Sequence, residues 1–110
     1  MLIPLEVAIL GAGLTMRGEG EPEFHGFQLA KELPDRDGAR GLTAHGTLYK
    51  ALDRMEKAGM LHSRWEDPDT AAEQGRPRRR LYRVTAVGQR AFKDAEIAAA
   101  GAWLVPEGPA

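Results

Sequence analysis

Apolar residues recur along this chain with two different periods, and the change of period divides it. Leu5, Ala8, Ile9 and Ala12 fall at helical spacing behind Pro4, which has no N–H to leave unpaired in a first turn. A first helix is therefore expected from Pro4 to about Leu14. Gly18-Glu19-Gly20-Glu21-Pro22 is a turn signal. Phe24, Phe27, Ala30 and Leu33, with Leu29 at the flank, form a second helical stripe from Glu23 to Leu33, stopped by Pro34. After a polar loop from Asp35 to Gly41, Thr43 is a candidate N-cap. Leu48, Ala51, Leu52 and Met55 then repeat at helical spacing up to Gly59, placed as a C′ residue.

Beyond Gly59 the period drops to two. Leu61, Ser63 and Trp65 alternate with His62, Arg64 and Glu66, and Arg80 to Val84 alternates again with Tyr82 and Val84 on one face. Asp67 to Arg79 reads as a long loop, so the two strands form a hairpin. Thr85 is a second N-cap candidate for a last helix from Ala86 to about Leu104, ended by Pro106. Three helices, a two-stranded wing hairpin and a long C-terminal helix make a mainly α, α+β fold, the winged helix-turn-helix.

Composition narrows the chemistry. The 110 residues include no cysteine, which excludes disulfides, thiol nucleophiles and Cys-ligated metals. A chain this short gains from pairing with a second copy. The apolar start carries Glu6 early, has no basic leader and is too short to span a bilayer, so a cytoplasmic protein is expected. His25, His45 and His62 are dispersed, and Ser63 is the only serine. No metal, cofactor or catalytic constellation emerges, and a non-enzyme is expected. Gly11-Ala12-Gly13 imitates a dinucleotide fingerprint but lies in a helical pattern with Met16 where the third glycine belongs. Close helix packing at a dimer explains it better.

The formal net charge of −1 conceals a segregation. Residues 1–39 hold 3 basic and 7 acidic side chains, residues 40–90 hold 11 and 6, and residues 91–110 hold 1 and 3. The nets are −4, +5 and −2. On the third helix Thr43, Gly46, Thr47, Lys50 and Arg54 lie opposite the apolar stripe, with His45 and Tyr49 at the flanks and Asp53 at one edge. Small hydroxyls, a basic pair and a flat glycine suit a helix in a DNA major groove; an ordinary solvated face is the plain alternative. Five arginines between Arg76 and Arg83 tip the balance, because such density repels itself unless it meets an anion.

Phe24-His25-Gly26-Phe27-Gln28-Leu29-Ala30-Lys31 resembles the His-Gly-aromatic motif of PadR-like transcriptional regulators. Gly46-Thr47-Leu48-Tyr49-Lys50-Ala51-Leu52 and Met55-Glu56-Lys57-Ala58-Gly59-Met60-Leu61 are similar to that family's recognition-helix motif. Gly75-Arg76-Pro77-Arg78-Arg79 and Tyr82-Arg83-Val84-Thr85-Ala86-Val87-Gly88 resemble its wing and the turn that follows. The resemblance implies a homodimeric repressor acting on double-stranded DNA at a palindromic operator. It implies a DNA-binding domain over 1–84, a dimerisation helix over 85–105 that crosses to the partner's first helix, and a tail over 106–110, the short form of the family. Thr43, His45, Thr47, Tyr49, Lys50 and Arg54 would face DNA, and Arg76, Arg78 and Arg79 would reach its backbone or minor groove. Some members sense small aromatic effectors at the dimer centre; Trp103 is the candidate here, with dimer-core packing as its plain alternative. The acidic turn from Thr15 to Pro22 and Leu81, where an aromatic is common, depart from the pattern. A winged helix used for protein contact without DNA is the rival reading.

Overall fold

A computed structural model describes residues 2–33 and 45–104, with His45 and residues 102–104 described as backbone. Its elements are α1 (Pro4–Gly18), α2 (Gly26–Glu32), α3 (His45–Lys57), β1 (Leu61–Trp65), α4 (Pro68–Glu73), β2 (Arg80–Val84) and α5 (Ala86–Leu104). The result is a winged helix with one helix more than the pattern predicts, α4, inside the expected loop. Asp67 caps it, with its side chain accepting from the Asp69 N–H at 2.9 Å, and Pro68 opens it.

The core centres on α3. Leu48, Ala51, Leu52 and Met55 are fully buried, as their spacing predicts. They meet Ile9, Leu10 and Met16 from α1, Leu29 and Leu33 from α2, and Leu61, Tyr82 and Val84 from the hairpin. The stripe on α1 is rotated from its expected position. Glu6, Ile9, Leu10, Gly13 and Met16 are the buried residues, whereas Leu5, Ala8 and Ala12 are only half-buried. The helix runs one turn further than expected because Met16 packs inside and Arg17 donates to the Val84 carbonyl. Gly11 and Gly13 do allow close approach, but within this chain. A Cβ would stand 3.1 Å from the Phe92 ring at Gly11 and 2.8 Å from the Phe24 ring at Gly13.

α2 begins later than its stripe suggests. Phe24 exchanges both backbone hydrogen bonds with Tyr82, at 2.9 and 2.8 Å, so its backbone is extended. His25 then caps the helix, its Nδ1 accepting from the Gln28 N–H at 3.2 Å. Phe27, counted in the apolar stripe, is 52 % exposed, with Lys31 over its ring. β2 thus has β1 on one edge and Phe24 on the other. Antiparallel pairing sets Leu61 opposite Val84, Ser63 opposite Tyr82 and Trp65 opposite Arg80.

The two ends of the hairpin are locked to their helices. Gly59 takes φ +81°, and Met60 N–H bonds the Met55 carbonyl at 2.9 Å, closing α3 as expected of a C′ glycine. Thr85 accepts from the Gly88 N–H at 3.0 Å and donates to the Gly59 carbonyl at 2.6 Å, so one hydroxyl caps α5 and ties it to the end of α3. The later turns of α5 carry mostly apolar residues in the open: Ile97 is 59 % exposed, and residues 98–101 are exposed as well. An open groove of about 770 Å³ lies beside them, lined by Leu2, Val7, Met60, Ala91, Ala95 and Ala98 among others. Among the described residues, no helix is long and apolar enough to cross a membrane.

Gly88 marks the tightest junction. A Cβ there would lie 2.2 Å from the Met60 carbonyl oxygen, a backbone atom that cannot swing aside. Gly88→Ala should destabilise the fold by about 1–3 kcal/mol and lower Tm by on the order of 5–15 °C. Gly18→Ala, where nothing lies within 4 Å, should be neutral or slightly stabilising. Thermal unfolding followed by circular dichroism checks both.

Candidate nucleic-acid interface

The sequence marks two surfaces as basic, the outer face of α3 and the wing, and the hairpin meets α3 through the Ser63–Glu56 hydrogen bond. On α3, Gly46, Thr47, Tyr49 and Lys50 are all exposed, and nothing lies within 4 Å of where a Gly46 Cβ would be. That face is flat and open. Tyr49 leans on the start of α2, where a Cβ on Gly26 would meet its hydroxyl at 2.4 Å, so the His-Gly pair lets α2 and α3 meet closely. Lys57 pairs with Asp53 at 3.0 Å along the exposed side. His45 opens the helix. Thr43 falls outside the described residues, and so does the Trp103 side chain.

Arg54 departs from expectation. Its Nε donates to Glu6 Oε2 at 2.6 Å, and the other Glu6 oxygen accepts from the Ile3 N–H at 3.1 Å. Glu6 is nearly buried, at 5 % exposure, so it needs both partners. Arg54 is thereby tied to α1, although half of its side chain remains in water.

The wing is organised by Glu66. Its oxygens accept from Arg76 Nη1 and Nη2, at 2.5 and 2.8 Å, in the bidentate geometry that a guanidinium fork favours. Its backbone N–H donates to the Arg79 carbonyl at 2.8 Å, the Arg79 N–H returns to Oε1 at 3.3 Å, and its carbonyl accepts from Arg78 Nε at 2.9 Å. The Arg76 hydrogen bond holds the Glu66 pKa down to about 2 against the opposing effect of burial. Gln74 accepts two further hydrogen bonds from Arg76. Arg76 is only 18 % exposed, so it builds the base of the wing instead of reaching outward as its place in the arginine run suggests. Gly75, at φ +65°, makes the turn out of α4 that brings Arg76 back to Glu66.

The remaining arginines divide. Arg78 and Arg83 are exposed and Arg79 half-exposed. Arg64 is held by Glu23 through bonds of 2.7 Å each, and this interaction lowers the Glu23 pKa. Arg80 donates to Ser63 Oγ at 3.0 Å and lies 3.8 Å from Glu56. Burial, followed by the charges of Arg79 and Arg76, pushes the His25 pKa down, which keeps Nδ1 available as the cap of α2. Trp65, 52 % exposed, has the Arg78 and Arg80 guanidinium groups over its ring and is absent from the residues expected to serve the site. The strand register, which sets it opposite Arg80, was the available signal. Among the described residues, no group of three or more His, Cys, Asp or Glu could hold a metal ion.

Comparison with known proteins follows the same outline. A model of the PadR-like transcriptional regulator family matches residues 19–94. No curated protein matches the chain by sequence. A transcriptional regulator from Clostridium thermocellum is similar in structure, with a TM-score of 0.66 and 20% identity over 92% of this chain and 84% of that one. A PadR family regulator from Clostridium difficile has a TM-score of 0.65 and 20% identity over 93% and 98% of the two chains. Bacillus subtilis PadR, solved in complex with operator DNA, has a TM-score of 0.57 and 20% identity; the match covers 96% of this chain and 49% of that one.

The depressed Glu66 pKa sets a pH window. Its contribution is fully present above the ordinary value of 4.5 and is lost as pH falls toward about 2. Glu66→Gln should therefore be less stable than the native protein at pH 7. The gap should narrow on acidification through that window in thermal melts. A gap unchanged down to pH 2 would show that the ion pair does not stabilise the wing.

Proposed function

The chain belongs to the PadR-like family of transcriptional regulators, and from that premise we propose that it is a repressor that binds a palindromic operator as a homodimer. The observation that carries this reading is an open α3 face, with Gly46, Thr47 and Lys50 exposed, in a fold whose hairpin meets α3 through Ser63 and Glu56 and carries an exposed Arg78 and a half-exposed Arg79. α3 enters the major groove, where Thr47, Tyr49 and Lys50, together with His45 and Thr43, meet base edges and flanking phosphates. Arg78 and Arg79 neutralise backbone phosphates or enter the minor groove. Arg54 and Arg76 contribute by shaping these surfaces. That Bacillus subtilis PadR has been solved on operator DNA supports the reading.

Dimerisation is assigned to residues 85–105. The apolar residues at the end of α5 lie uncovered beside an open groove, as a helix awaiting a second copy would. Two α3 helices then meet half-sites about one turn of DNA apart. Repression follows from occupying a promoter. A small aromatic effector, if bound near Trp103 at the dimer centre, releases DNA only by favouring a dimer with wrongly spaced helices.

Selection of bound duplexes from a random pool tests the reading, and failure to enrich any palindrome would overturn it. Repeating the selection with small aromatic compounds tests the effector. Replacing Arg78 and Arg79 together by Ala should weaken binding to every sequence and reduce the slope of log affinity against log salt by about two. Lys50→Ala and Thr47→Ala should instead change which bases are preferred, by about 1–3 kcal/mol at the affected position. Mobility-shift titrations on the selected operator and its single-base variants separate the two outcomes. A salt-independent affinity would favour the protein-contact alternative.

A further inference from the structure

We infer that Trp65 is a positioning residue for the wing: its indole holds the Arg78 and Arg80 guanidinium groups as a paired clamp for DNA backbone phosphates. The inference rests on the DNA-binding reading above and adds to it a residue, Trp65, and a second cation, Arg80.

Trp65 ends β1 and stands opposite Arg80. The row of paired residues on this sheet face runs from Leu61 and Val84, through Ser63 and Tyr82, to Trp65 and Arg80. Its inner end is core. Its middle meets α3 through the Ser63–Glu56 hydrogen bond of 2.6 Å. Its outer end therefore emerges on the α3 side of the wing. There the Arg78 guanidinium lies 5.7 Å and the Arg80 guanidinium 5.1 Å from the indole centroid. Both are within the range at which an aromatic face attracts a cation.

Each arginine is also anchored at Nε, Arg78 to the Glu66 carbonyl and Arg80 to Ser63 Oγ. A guanidinium held over a ring by cation–π attraction keeps its N–H donors for other partners. With Nε engaged, the terminal nitrogens are the donors left for an anion. Those of Arg78 make no hydrogen bond among the described residues, and Arg80 has only the long 3.8 Å approach to Glu56. Two like charges on one ring repel each other, and an anion bridging them removes that penalty. A flexible arginine loses side-chain entropy on reaching a phosphate; one already held over a ring and anchored at Nε loses less.

The test compares wild type, Trp65→Phe, Trp65→Leu and Trp65→Ala for binding to the selected duplex across a salt series, with thermal melts alongside. Leu preserves apolar bulk without a π face, and Phe preserves the face. The Leu and Ala proteins should bind roughly tenfold more weakly at low salt and lose about one to two from the salt slope, while Phe stays within about threefold of wild type. The half-exposed position predicts little change in Tm for any of them. Leu matching wild type in affinity and slope would overturn the inference and leave the DNA-binding reading intact. A wild-type protein that binds no duplex would overturn both.

Discussion

Glu66 leaves β1 where the wing begins, and its carboxylate takes two nitrogens of Arg76 while its backbone engages Arg78 and Arg79. Three arginines of a run that would otherwise repel itself are thus placed by one residue. Without that anchor the thirteen-residue span from Asp67 to Arg79 is a charged loop with a single buried apolar side chain, Ala71. Such a loop cannot order itself by apolar burial. The short helix α4, its Asp67 cap and the Gly75 turn all bring the chain back to that carboxylate.

The same arrangement recurs around the basic block. Glu6 takes Arg54 and Glu23 takes Arg64. Exposed pairs of this kind contribute little stability, about 0–1 kcal/mol. Their effect is mainly positional: they decide which cations belong to the scaffold and which face outward. Lys50, Arg78 and Arg83 remain exposed, and they lie on α3 and the wing. Glu6 differs from the others because it is buried, so truncating its partner would strand a charge.

The parts legible in the sequence were those written in local periodicity. Leu48, Ala51, Leu52 and Met55 fixed the orientation of α3, and hence its outer face, because four consecutive core contacts are apolar. The stripe on α1 was misread because its buried face includes a carboxylate, Glu6, and a glycine, Gly13, neither of which carries an apolar signal. The start of α2 was misplaced because Phe24 is claimed by Tyr82, 58 positions away, and no local pattern reports that pairing. Arg76 was counted with its neighbours because composition records charge and not partner. The helix α4 did have a signal, Asp67 before Pro68, but six residues whose apolar side chains are Pro68, Ala71 and Ala72 offer no stripe to confirm it.

A net charge of −1 is a poor guide to such a surface because it averages over direction. The acidic first third is not merely a counterweight. Two of its carboxylates, Glu6 and Glu23, reach Arg54 and Arg64 and neutralise the basic block from the scaffold side. With those two cations paired, the exposed positive charge that remains includes Lys50 on α3 and Arg78 and Arg83 on the hairpin. A field with that asymmetry acts before contact: it raises the encounter rate with an anionic partner and favours approaches that present the right face. The acidic start of the chain and the arginine wing are therefore two halves of one device, and each would be less directional without the other.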